Sequence, residues 1–164
     1  MIIHLPNIFD KKKCEELSRL TMNYHHHGKL SSEANDKHYK NSFGKSLKEF
    51  DAYFPVLTPI IKEKTGYQNI KIQNSYTRVY FNDSILKKHV DRNGLDITLS
   101  VCIFDNTGKD WPLYVEHEGK VVPVITKVGE GGLILGTKMN HWRDLLVCNP
   151  EQMVIQCFFH WQII

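Results

Sequence analysis

The side chains best suited to chemistry are His89 and Asp91, separated by Val90. In an extended strand, residues i and i+2 point to the same face, roughly 6–7 Å apart along the backbone. This spacing therefore aims an imidazole and a carboxylate into one pocket. A third group of the same kind is His141, which follows a glycine-rich turn and the apolar run Leu133, Ile134, Leu135. Two neutral imidazoles and one carboxylate on one face of a metal, with the opposite positions open, suit high-spin Fe(II). A structural zinc would ask for a fourth protein ligand, usually sulfur. An H-x-D tripeptide is by itself a weak signal in a chain with nine histidines and eighteen acidic residues. Its rival reading is a strand-end ion pair facing solvent.

Other histidines are weaker candidates. His25, His26 and His27 are consecutive, and neighbours on a loop do not readily converge on one ion, so they read as solvated. His160, within the run from Phe158 to Trp161, is a reserve ligand, although a hydrogen-bonded core histidine is the commoner outcome. Trp111, Trp142 and Trp161 shape either a groove or the core. Cys14, Cys102, Cys148 and Cys157 are dispersed with no C-x-x-C, and at least two lie in apolar runs where a thiol acts as a small hydrophobe. That usage points to a reducing compartment.

The elements that must position these groups follow from periodicity. Residues 10–24 place Cys14, Leu17, Leu20 and Thr21 at helical spacing behind Asp10, a capping residue, with Lys11, Lys12 and Lys13 on the polar face. Residues 25–45 are polar, with two glycines, and read as a loop. Residues 46–65 keep a helical period that Pro55 and Pro59 should kink or split, and Gly66 ends it. After Tyr67 the character changes to short β-branched and aromatic runs separated by turn residues. The candidate strands are 70–81, 86–90, 96–105, 113–116, 121–128, 132–136, 140–145 and 153–161. Eight is the count a double-sheet jelly roll needs, and such a fold binds ligands in its interior. The expected architecture is mainly β: one domain over 1–164, with two helices in 1–67 supporting a jelly-roll core in 68–164.

Composition narrows the function classes. A chain of 164 residues, 41% hydrophobic and 24% charged, fits a single core. At this size roughly 70% of the unfolded surface can be buried, so no metal is needed merely to hold the fold, and any metal would be functional. The net charge of +3 is mild and the basic residues are scattered, which does not indicate a nucleic-acid stripe. No apolar run reaches the ~18 residues of a membrane span, and the first residues turn polar too soon for a signal segment. The expectation is a soluble, cytoplasmic protein, monomeric or a small homo-oligomer.

With these residues in view, the sequence resembles the 2-oxoglutarate and Fe(II)-dependent oxygenases, most closely the prolyl-hydroxylase-like branch. The resemblance covers about residues 70–161. It rests on Arg78, Val79 and Tyr80 upstream of His89, the His89 and Asp91 pair, the apolar strand from Ile97 to Phe104, the run Gly131 to Leu135, Asn140 to Arg143, and the closing strand Val154 to Trp161. It implies a double-stranded β-helix, Fe(II) held by His89, Asp91 and His141, and Tyr80 bordering a 2-oxoglutarate pocket. It also implies O2 as oxidant, ascorbate as an accessory reductant, and a prolyl residue of a peptide or protein as substrate. The family's usual cation nine or ten residues after the distal histidine is absent: Pro150 and Glu151 stand there, and no Lys or Arg follows Arg143. An ionised carboxylate still needs a buried cation, so Arg143 is the first candidate to anchor 2-oxoglutarate and Arg78 the second. The position three before His89, commonly aromatic in the family, is Leu86, which leaves a free amino acid or small metabolite open as substrate. A non-catalytic, cupin-type binding module is the rival class.

Overall fold

The fold begins with the Asp10 carboxylate, which accepts the Lys13 amide at 2.7 Å and caps α1 (Lys11–His26). The structure is a computed structural model that describes all 164 residues. Around α1 lie β1 (Ile2–Leu5), β2 (Tyr39–Lys45), α2 (Lys48–Asp51) and α3 (Phe54–Thr65). The remaining strands are β3 (Ile70–His89), β4 (Ile97–Asp105), β5 (Leu113–His117), β6 (Lys120–Val124), β7 (Gly131–Ile134), β8 (His141–Arg143) and β9 (Val154–Ile163).

All strand pairs are antiparallel, in the order β1-β7-β4-β9-β3-β8-β5-β6, with β2 also pairing β3. β3 belongs to both halves of this path: residues 70–80 pair with β9, while Leu86 and His89 pair with β8. The bend lies at Asp83, whose φ of 68° is rare for a non-glycine residue and suits aspartate better than most. The sheet thereby forms two facing layers, and a cavity lined from both lies between them.

Alternation along β4 and β9 separates support from site. Ile97, Leu99, Val101 and Ile103 of β4, with Ile155, Cys157, Phe159 and Trp161 of β9, face the helices and join Phe50, Phe54, Leu57 and Ile61 in the main core. Phe54 sets its ring edge-on to both Phe159 and Trp161, and the Trp161 indole donates to Thr58 Oγ1 at 2.9 Å. Burying each such aromatic contributes roughly 1.5–3 kcal/mol. The intervening residues Thr98, Ser100, Phe158 and His160 line the cavity instead. Both faces of these strands are covered, which is why every residue of β4 as far as Ile103 is buried.

Several expected boundaries shift. Residues 25–45 are not a loop: α1 runs through His26, whose neighbour His25 packs on Phe43 and Phe81, and β2 is a strand. Its buried positions are Ser42 and Gly44, so it carries no apolar alternation to detect. Gly44 is required by close approach, because a methyl there would stand 2.8 Å from the Thr77 carbonyl oxygen. The runs 70–81 and 86–90 are one bent strand. The helical stretch 46–65 splits into α2 and α3, with Pro55 in the first turn and Pro59 inside α3, giving three helices rather than two. Gly66 ends α3 at φ 79°, as expected. The run 121–128 stops at Val124, and 140–145 reduces to β8, because Leu146 leaves to exchange backbone hydrogen bonds with Asp83 and Ser84. β1 and β2 bring parts of the N-terminal region into the sheet itself. No helix is long and apolar enough to cross a membrane.

Candidate metal centre

His89 closes β3 and His141 opens β8, and the two are register partners with ring centroids 4.4 Å apart. Each ring is oriented by the same local device. Nδ1 of His89 lies 2.7 Å from the Lys87 carbonyl oxygen, and Nδ1 of His141 lies 2.8 Å from that of Met139. A carbonyl only accepts, so each Nδ1 carries the proton and, in the neutral ring, each Nε2 presents a lone pair to the cavity.

Asp91 reaches the same point by a different route from the one its spacing suggests. β3 stops at His89, and the two residues beyond it are not strand. Asp91 is held by its amide, which donates to the Gly136 carbonyl at 2.8 Å. Its Oδ1 lies 3.5 Å from His89 Nε2 and 3.2 Å from His141 Nε2, while Oδ2 accepts from the Thr98 hydroxyl at 2.6 Å. One candidate ligand atom from each of the three residues lies within 4.8 Å of the others. Burial disfavours the charge on Asp91, yet in the metal-free protein hydrogen bonds from His141 and His89 in their protonated form, and from the Thr98 hydroxyl, outweigh it and hold the carboxyl well below the usual range. For His89, burial is likewise overcome by Asp91 and the Lys87 carbonyl, and its pKa rises. Two imidazole lone pairs and one ionised carboxylate oxygen, each with its other polar atom already satisfied, fit a divalent metal.

The cavity beside these residues measures about 410 Å³. Arg78 lines it and is buried. Its Nη1 donates to Ser42 Oγ at 3.0 Å and its Nη2 to the Tyr76 hydroxyl at 3.3 Å, while the guanidinium sits 3.8 Å from the Tyr39 ring centroid. Its Nε has no partner, and no carboxylate lies within ion-pair distance of the side chain. An unpaired buried cation in a cavity wall is set up to receive an anion.

Arg143 is placed elsewhere. It is buried, donates Nη1 to the Trp111 carbonyl at 2.7 Å, and lies 5.0 Å from the centroid of the Trp111 ring, whose indole donates to the Asp144 carbonyl. It does not line the cavity. Tyr80 is likewise absent from the cavity lining; it is buried edge-on to Trp111 at 4.9 Å, its hydroxyl without a partner and its pKa pushed up by burial. His160 does line the cavity, with Nδ1 3.2 Å from the Asn74 carbonyl and its pKa pushed down by burial, but it stands outside the three-residue cluster. His25, His26 and His27 are likewise not part of it.

Thr98, Gly136, Tyr39 and Ser42 complete the site without any sequence signal of their own. Tyr76, two residues before Arg78 on β3, lines the cavity beside it. His38, from the segment expected to be a loop, stacks on His89 at 4.8 Å and borders the cavity.

No family model matches the sequence, and no curated protein does. Solved structures match in three dimensions. A prolyl-4-hydroxylase from Pseudomonas putida superposes with a TM-score of 0.74 at 10% identity, covering 97% of this chain and 91% of that one. A prolyl hydroxylase from Trichoplax adhaerens, in complex with a hypoxia-inducible factor peptide fragment, gives 0.77 at 13%, covering 98% and 83%. HygX from Streptomyces hygroscopicus, solved with nickel and 2-oxoglutarate bound, gives 0.71 at 10%, covering 97% and 82%. The chain has the double-stranded β-helix fold shared by the prolyl hydroxylases and other 2-oxoglutarate/Fe(II) oxygenases, with a His-Asp-His cluster between its two layers.

Proposed function

We propose that the protein is an Fe(II)- and 2-oxoglutarate-dependent hydroxylase acting on a prolyl residue of a peptide or protein, with succinate and CO2 as co-products. The observation that carries this reading is the convergence of His89 Nε2, His141 Nε2 and Asp91 Oδ1 in the same cavity as the unpaired Arg78. His89, Asp91 and His141 would hold the iron. Bound there, iron supplies the activation of O2, coupled to oxidative decarboxylation of 2-oxoglutarate, and the oxidation of a substrate C–H bond.

The chain's own residues bind and orient. Arg78 presents a planar fork suited to the far carboxylate of 2-oxoglutarate, and Ser42, Tyr76 and the Tyr39 ring fix its direction before the anion arrives. Leu86, Leu113, Ile134 and Phe158 give the cavity apolar walls that exclude water around the reacting groups. The exposed lining residues His38, Val90 and Arg92 would flank the path by which the substrate enters. A peptide substrate is supported by the prolyl hydroxylases with this fold, one of which was solved with a peptide. A small-molecule substrate is the second reading, supported by HygX, which was solved with hygromycin B bound. Four free cysteines fit a reducing cytoplasm.

The test is to incubate purified protein with Fe(II), ascorbate and 2-oxoglutarate, and to follow succinate in the presence of proline-containing peptides or free amino acids. Succinate formation stimulated by a peptide is expected. No succinate with any of them, together with no 2-oxoglutarate-induced change in the metal's spectrum, would leave a non-catalytic binding module.

A further inference from the structure

A carboxylate can hold a metal through one oxygen or through both. At this centre the choice matters, because a second carboxylate oxygen on the ion would take a position that a chelating co-substrate and O2 need. Three features act on Asp91, two supplied by Gly136 and one by Thr98 on β4. Its backbone amide is tied to the Gly136 carbonyl at 2.8 Å. Its Oδ2 accepts the Thr98 hydroxyl at 2.6 Å, leaving Oδ1 between the two imidazoles. The space beside Oδ2 exists only because residue 136 is glycine: a methyl there would overlap Oδ2 and stand 2.7 Å from Thr98 Oγ1.

Thr98 is itself held firmly. It lies on β4 between Ile134 of β7 and His160 of β9, both register partners, and its β-branched side chain has few rotamers. We infer that Thr98 is the positioning residue for the carboxylate ligand, fixing Asp91 as a one-oxygen donor in the space that Gly136 provides. This rests on the metal-centre reading given above.

The experiment uses the full chain stripped with a chelator and titrated with Co(II), whose visible absorption reports both affinity and coordination; 2-oxoglutarate is then added. Thr98→Val, similar in shape but lacking the hydroxyl, is expected to bind Co(II) on the order of tenfold more weakly, as orienting partners of metal ligands generally do. Its Co(II) spectrum should differ from wild type and respond less to 2-oxoglutarate. Thr98→Ser should return both to near wild type, which a merely structural role for the threonine methyl would not do. If Thr98→Val does not fold, Thr98→Ala makes the same comparison. Co(II) affinity within twofold of wild type and an unchanged spectrum for the hydroxyl-free variant would overturn the inference. Failure of the wild type to bind Co(II) would overturn it together with the metal reading. Co(II) binding without any response to 2-oxoglutarate would count against the hydroxylase reading alone and leave the Thr98 comparison decisive.

Discussion

Arg78 on β3 stands directly across from Gln156 on β9, so the buried cation of the cavity faces a neutral amide at its register position. The closing strand, where the resembling family usually carries its basic residue, here presents a glutamine that accepts the Ser100 hydroxyl at 3.2 Å. The positive charge sits one strand over. Arg78→Gln is therefore expected to weaken 2-oxoglutarate binding roughly ten- to a hundredfold, the loss of charge-assisted hydrogen bonds of about 1.5–3 kcal/mol. Adding Gln156→Arg to that variant should recover part of the loss. Arg143→Met should leave the affinity unchanged, because Arg143 lies outside the cavity wall. Titration of the Co(II)-loaded protein with 2-oxoglutarate reads all three, and a defect in Arg143→Met with none in Arg78→Gln would transfer the role to Arg143.

Removing a ligand should empty the centre. Asp91→Ala and His141→Ala are each expected to lower Fe(II) or Co(II) occupancy severely, since two donors remain, and in Asp91→Ala the two imidazoles also lose the charge between them. His160→Asn should keep full occupancy, because His160 stands outside the cluster. Metal content after dialysis measures this, and retention of metal by Asp91→Ala would refute the assignment.

Gly136→Ala places a methyl against Asp91 Oδ2 and Thr98 Oγ1. Overpacking of this kind typically destabilises by about 1–3 kcal/mol, which for a chain of this size lowers Tm by roughly 2–4 °C per kcal/mol. A Tm in chelator indistinguishable from wild type would show that the loop carrying Gly136 yields at no expense.

The pH dependence of the metal-free protein should show the histidines whose titration desolvation shifts. Desolvation, nearly complete at His160 and partial at His25 and His38, pushes their pKa below the usual value, so the folded state favours their neutral form. Their contribution to stability is full above the unfolded pKa of about 6.5 and is lost as pH falls through that value toward the folded one. His89, whose pKa is raised, acts in the opposite sense: its contribution is present below about 6.5 and lost as pH rises through its folded value. His160→Asn keeps a donor for the Asn74 carbonyl and removes the titration, so it should flatten the fall in Tm on acidification from about pH 7 to 5. An identical slope in the variant would show that His160 does not contribute.

Much of the architecture was legible because it depends on local spacing. The Asp10 cap, the proline-interrupted helices ended by Gly66, and the succession of strands after Tyr67 all follow from short-range preferences, and the structure reproduces them with shifted ends. The polar stretch 25–45 conceals its strand for a local reason too. β2 buries Ser42 and Gly44, small residues that let Tyr76 and Arg78 approach, and a strand that buries small polar positions carries no hydrophobic period.

The candidate metal ligands were legible because an H-x-D pair brings two ligand types close together along the chain, whatever the strand does afterwards. That Asp91 lies past the strand end shows how little of the spacing argument depended on a continuous strand. What only the tertiary structure decided is everything set by cross-strand register. His141 meets His89 because β8 pairs with β3 at that residue, Thr98 reaches Asp91 from β4, and Gly136 leaves the space between them. The placement of Arg78 in the cavity wall and of Arg143 away from it has the same origin. Both are buried arginines near a ligand in sequence or in space, but a side chain's exposure to a cavity depends on where two layers separate. That separation is fixed by the bend at Asp83 and by packing on both faces, interactions between residues far apart in the chain that no local pattern records.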